Sequence, residues 1–212
     1  MVNIHHRVVS MIVRAFGLVA LTLTPACTML GNGNLDAGPA ALPVMQWDHR
    51  PEADVWTEAT LRALSEEGLP LLTLEPQDID TWCPDYIGAD PEQRAAFWAG
   101  LLSSLAKYES TWNPQAVGGG GQWFGLVQIS PGTARGYGCD ASTGDALKDG
   151  AENLACAVRI AASTVPRDGV VASGRSGLAA DWAPFLNPSH RAEMAAWTRN
   201  QSYCSDPVRR RS

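Results

Sequence analysis

The stretch from Asp90 to Pro114 limits the fold more than any other part of the chain, because it specifies where a long helix starts, which face it buries and where it must stop. Asp90 can cap the first turn, Pro91 suits the first helical position, and Gln93 stands three residues after Asp90 to complete a capping box. The pattern predicts a helix from Pro91 to about Glu109. Trp98, Leu102, Leu105 and Glu109 recur at spacings of four, three and four, so they share one face, with Leu101 and Tyr108 at its edges. A carboxylate therefore ends an apolar stripe. Beyond it Pro114 cannot continue a helix and drives Asn113 out of helical conformation, so the chain must turn directly after Glu109.

Glu109 has no Lys or Arg three or four positions away. On a buried face its charged form loses water without gaining a partner, which raises its pKa towards the range of about 6 to 7 that suits a general acid near neutral pH. The competing reading is a helix-terminal Glu that points into solvent.

The remaining pattern describes one mainly helical domain. A length of 212 residues, 45% apolar and 18% charged, allows a single domain with a real core. Pro51 to Glu67 reads as a first helix with Val55, Ala59 and Leu64 near helical spacing, stopped by Gly68 and Pro70. Leu69 to Ile79 is an apolar connector without a period. Gly118 to Gly121 form a loop, and Gly125 to Ile129 return as an apolar segment ending at Ser130-Pro131-Gly132. Further helices are expected over Lys148 to Ser163, Arg175 to Ala183 and Ser189 to Asn200. Residues 51–89 are expected to pack as an N-terminal helical segment on a catalytic domain spanning 90–205. No stretch alternates long enough for a large sheet, and there is no internal repeat.

Both ends differ from this domain. His5, His6, Arg7 and Arg14 precede the apolar stretch Ala15 to Leu23, so residues 1–26 read as a secretory leader. That stretch is far short of the roughly 20 residues a membrane span needs. Thr24-Pro25-Ala26 before Cys27 suits an ordinary signal peptidase, while Leu23 to Cys27 resembles a lipobox whose Cys27 would carry lipid. Residues 27–50, rich in Gly, Asn, Pro and Ala without a helical or strand period, read as a flexible tether, and 206–212, with Arg209 to Arg211, as a solvated basic tail. Thr28 after Cys27 gives no sign of inner-membrane retention, which in a Gram-negative cell points to the periplasmic face of the outer membrane.

Export makes disulfides the expected state of the cysteines. With Cys27 set aside, Cys83, Cys139, Cys156 and Cys204 allow three connectivities; we expect Cys139 with Cys156 and Cys83 with Cys204. Sixteen Lys and Arg, two of them in the leader, oppose 22 Asp and Glu, so nucleic acid is a poor partner. His49 and His190 alone survive beyond the leader, without metal-ligand or triad spacing, and neither a metal nor a cofactor is expected. We expect a monomer.

Two segments carry a resemblance. Glu109-Ser110-Thr111-Trp112-Asn113-Pro114-Gln115-Ala116-Val117 and Gly125-Leu126-Val127-Gln128-Ile129-Ser130-Pro131-Gly132-Thr133-Ala134, followed by a helix with Asn153-Leu154, resemble the ordered motifs of the soluble lytic transglycosylase (SLT) family. The resemblance covers about residues 90–165. It implies a mainly α, goose-lysozyme-like fold with a groove for alternating N-acetylmuramic acid and N-acetylglucosamine. It also implies a one-carboxylate reaction in which Glu109 protonates the glycosidic oxygen and then accepts the proton of the sugar's C6 hydroxyl, leaving a 1,6-anhydro end.

Roles follow position by position. Gln128 matches the family's substrate-binding glutamine, Gly125 would admit sugar close to the backbone, Ser110 would cap the helix or position Glu109, and Asn153 belongs to the next matching element. Trp112 and Trp123 could stack on sugar or belong to the core. Gly118 stands where many members have serine, and Val127 replaces methionine. The family's Ala-Tyr-Asn-Ala-Gly element is missing, with Leu178 to Trp182 as its nearest equivalent, so Asp181, Trp182 and Tyr137 are the candidates for the place of its tyrosine. Asp181 across the groove would instead make a water-activating lysozyme-type hydrolase. A glycan-binding lipoprotein with a degenerate site is the non-catalytic alternative.

Overall fold

The computed structural model describes residues 41–205. The leader, Cys27 and the basic tail lie outside these described residues, as does the tether up to residue 40. The chain forms α1 (Ala53–Ser65), α2 (Leu69–Thr73), α3 (Ile79–Trp82) and the long α4 (Pro91–Ser110). A hairpin of β1 (Val117–Gly118) and β2 (Trp123–Phe124) leads to α5 (Pro131–Gly136) and α6 (Gly150–Asp168). A second small hairpin, β3 (Ala172–Ser173) with β4 (Ser176–Gly177), precedes α7 (Pro188–Arg199). The fold is mainly α, and both hairpins are antiparallel.

The capping box forms as expected: Gln93 N–H donates to Asp90 Oδ1 at 2.8 Å and Asp90 N–H to Gln93 Oε1 at 3.3 Å. The expected single stripe on α4 is too narrow, since every residue from Ala95 to Ala106 is buried. A helix enclosed on all sides is the axis of a fold. Gly100, Ser103 and Ser104 make this possible: both hydroxyls donate back to Gly100 O, and a Cβ at 100 would lie 2.2 Å from Tyr203 Oη. α1 and α7 pack on α4, while α6 lies along α1 and α2. Trp98 Nε1 donates to Tyr86 Oη, which donates to Leu71 O, joining the N-terminal segment to the axis.

Four further expectations change. Val55 is 60% exposed, and α1 buries Trp56, Ala59, Thr60, Ala63 and Leu64 instead. The tether does not extend to residue 50: Met45 and Trp47 are buried, Gln46 N–H donates to Ser103 Oγ, and His49 packs edge-on against Trp112. The connector after Gly68 contains a helical turn because Leu71 and Leu72 face the core. The helix expected over Arg175 to Ala183 is the β3–β4 turn followed by short 3-10 segments, since Gly174 and Gly177 take positive φ and a Cβ at 177 would lie 2.4 Å from Val171 O.

Cys83 pairs with Cys204 and Cys139 with Cys156, as expected. The first bond ties the end of α3 to the chain after α7. Among the described residues, no helix is long and apolar enough to cross a membrane.

Candidate active site

The site is built where α4 runs out. Thr111 caps the helix in left-handed conformation with φ 54°, and Trp112 repeats it with φ 54°. Two such residues in succession are unusual outside glycine and must be held by their surroundings. Trp112 is held by its indole N–H, which donates to Ser103 O at 2.9 Å. Ser110 Oγ donates to Leu126 O at 2.7 Å and accepts from Asn113 N–H, fastening the helix end to the following loop. Glu109 is thereby fixed at a corner, with its carboxyl at the wall of a cleft of about 360 Å³.

The β1–β2 hairpin and the loop at Gln128 also line this cleft. Asn153 of α6, fully buried, fixes that loop: its Nδ2 donates to Phe124 O and Leu147 O, and its Oδ1 accepts from Val127 N–H. Gln128, the third non-glycine residue with positive φ, then turns its amide into the cleft. Its Nε2 donates to Ala116 O at 3.2 Å and Gly125 O at 2.9 Å, so Oε1 is the atom left to accept from a ligand. A Cβ at 118 would lie 2.3 Å from that Oε1. Gly118 and the Gln128 amide therefore fit one another, which accounts for glycine here.

Burial pushes the Glu109 carboxyl up to about 7. No described side chain hydrogen-bonds it or pairs with it. Asp181 lines the same cleft; desolvation holds its carboxyl above the usual carboxylate range, opposed by a hydrogen bond from Tyr137, whose hydroxyl lies 3.4 Å from Oδ1. Trp182 is buried beside it and donates through Nε1 to Val127 O at 2.8 Å.

The structure thus brings Glu109, Gln128, Asp181, Trp182 and Trp123 to one cleft. Five expected contacts fall outside the cleft lining, each for a local reason. Ser110 spends its hydroxyl on Leu126 O, and Asn153 spends its whole amide on backbone. Trp112 turns towards the core and His49. Gly125 packs tightly against Asn153 of α6 and the turn before that helix, because a Cβ there would lie 2.4 Å from Asn153 Nδ2 and 2.1 Å from Leu147 O. Tyr137 reaches Asp181 and not Glu109, so none of the three candidates occupies the place of a tyrosine bonded to the acid. Sequence reasoning misses Gly119 and Ala183 in the lining. The glycine run is a signal for the first; nothing in the sequence marks the second.

Residues 88–167 match the Transglycosylase SLT domain. The chain carries an SLT domain. Among solved structures it is similar to "Bd0314 DslA wild-type form 2", with a TM-score of 0.71 and 27% identity over 78% of this chain and 100% of that one. Two glutamate-to-glutamine mutants of the same protein match over the same shares, with TM-scores of 0.71 and 0.70 and the same identity. No curated protein matches significantly. The SLT domain and the shared fold point to an enzyme family of the lytic transglycosylase type, and the domain implies peptidoglycan glycan strands as the substrate class.

Proposed function

We propose that the protein cuts the bond between N-acetylmuramic acid and N-acetylglucosamine without consuming water, with Glu109 acting first as acid and then as base. The observation that carries the reading is a carboxyl held near pKa 7 by burial, in a cleft, with no cation among the described residues to neutralise it. One group can serve both steps when its pKa lies near ambient pH. Protonation of the glycosidic oxygen lets the C1–O bond break, and the muramoyl N-acetyl group supports the positive charge that develops at C1. The Glu109 carboxylate then removes the C6 hydroxyl proton as O6 bonds to C1, which gives the 1,6-anhydro end and restores the acid. Gln128 Oε1 is placed to accept a hydrogen bond from an acetamido N–H or a hydroxyl of the strand.

Asp181 favours a second reading. A carboxylate in the same cleft could activate water, and the product would then be a reducing sugar end. Digestion of purified sacculi in water labelled with oxygen-18, followed by mass spectrometry of the sugar ends, separates the two. Unlabelled anhydro ends that persist in Asp181→Asn are the expected result; labelled reducing ends that vanish in Asp181→Asn would replace transglycosylation by hydrolysis. Binding of sacculi with no soluble release would leave only the non-catalytic alternative.

We further propose that the chain is exported by its leader and tethered through lipid on Cys27 to the outer membrane's periplasmic face. The leader's charged start, its short apolar stretch and Cys27 directly after it support this. Metabolic labelling with a clickable fatty acid should mark wild type and not Cys27→Ser.

A further inference from the structure

We propose that Trp123 is a sugar platform: its indole, mounted on Gly119 of the β1–β2 hairpin, takes the apolar face of one pyranose ring of the strand whose bond Glu109 attacks. This rests on the glycan-cleaving reading above and adds to it a binding subsite on the hairpin side of the cleft.

Trp123 stands apart from the other tryptophans. Of the chain's eight, it alone is exposed, at 45%, whereas Trp47, Trp56, Trp82, Trp98 and Trp182 are at 3% or less. Stability does not explain an indole kept in water, since burying a large aromatic is among the most favourable steps of folding. A lone exposed aromatic needs no special account. This one, however, lines the cleft that contains Glu109 and Gln128.

The ring is also held in place. A Cβ at Gly119 would lie 2.0 Å from Trp123 Cζ3 and 2.1 Å from Cε3, so the six-membered ring rests where any other residue's side chain would begin. Gly118 pairs with Trp123 across the hairpin, and the turn is closed by Gly121 and Gln122 N–H groups that both donate to Gly118 O. The four-glycine run therefore both makes the turn and mounts the ring. Trp123 Nε1 donates to no described residue, which leaves it for a ligand hydroxyl.

These features select a ligand chemistry. A pyranose offers C–H groups on one face and hydroxyls or acetamido groups at its rim. An aromatic plate with a free N–H, beside an amide that presents only its oxygen, matches both parts. A fixed plate also binds without first paying to order a mobile side chain.

The test uses the Glu109→Gln protein, so that ligand is bound and not cut, and calorimetry with a tetrasaccharide of alternating N-acetylglucosamine and N-acetylmuramic acid. In that background Trp123→Leu should weaken binding by about tenfold or more, the loss of one aromatic contact, while Trp123→Phe keeps most of the affinity. Gly119→Ala should match the leucine variant because it displaces the ring. Gly120→Ala is the control: its φ of 67° is equally strained for alanine, but nothing lies within 4 Å of the added Cβ. It should bind within about twofold of the parent, as expected of a substitution that leaves every ligand contact intact. In otherwise wild-type enzyme acting on soluble glycan, Trp123→Leu should raise KM and leave kcat within about twofold, the mark of binding shared by ground and transition states.

Equal affinity of Trp123→Leu, Gly119→Ala and the parent would overturn the platform. So would a parent that does not bind the tetrasaccharide at all. Digestion of sacculi by wild type separates the causes: if it persists, the chemistry of Glu109 stands without the platform, and if it is absent, the glycan-cleaving reading fails with it.

Discussion

Glu109→Gln should cut the release of soluble fragments from sacculi by about a thousandfold, within the range expected when the general acid is lost, while the fold is retained. The amide has nearly the shape of the acid but cannot give its proton to the glycosidic oxygen. In wild type, kcat/KM should fall as pH rises through about 7, because the reactive form is the protonated one and burial places its titration there. A profile that stays flat up to pH 9 would remove Glu109 from the acid's role.

The same burial predicts an opposite change in stability. The folded carboxyl titrates near 7 and the unfolded one near 4.5, so between these values the folded state binds more protons and stability falls as pH rises. The charged, buried Glu109 costs stability that is fully lost above pH 7 and restored below pH 4.5. Glu109→Gln removes the charge. Relative to wild type it should gain on the order of 1 to 3 kcal/mol at pH 8 and nothing near pH 4. Chemical denaturation at the two pH values measures the difference; an equal change at both would place the carboxyl in open water.

Asn153→Leu should have the largest effect on the fold. Leucine fills a similar volume but leaves Val127 N–H and Leu147 O without their buried partner, and Phe124 O with Ile129 N–H alone. At about 1 to 3 kcal/mol for each stranded group, partly relieved by relaxation, the cost should be about 3 to 5 kcal/mol. That is a large share of a typical stability of about 5 to 15 kcal/mol, and should lower Tm by roughly 10 °C. Activity should fall even where the variant remains folded, because the loop carrying Gln128 loses its mooring. A variant that melts within about 2 °C of wild type yet binds glycan poorly would return Asn153 to the role of a substrate contact.

What the sequence made legible was local. The capping box at Asp90, the stop at Pro114 and the spacing up to Glu109 act within a few residues, and α4 forms where they place it. The four-glycine run announced a loop. Contacts set by distant partners were not legible. Nothing near Asn153 tells that its amide turns into the Gln128 loop, and nothing near Gly125 tells that α6 presses on it. Residues 175–183 have a helical composition, but Asp168 and Asp78 capture neighbouring backbone N–H groups and favour the hairpin. Trp47 looked like part of a tether because the surfaces that bury it, α1 with Trp56 and Thr57, follow later in the chain.

The two carbonyls that consume both amide hydrogens of Gln128 give the cleft a fixed polarity. At that point it can receive a hydrogen but has none to offer. A wall strand whose hydroxyl or acetamido N–H is masked at the matching position would meet oxygen against oxygen, so chemical capping of that one group would shield a glycan from this enzyme without altering the bond it cuts.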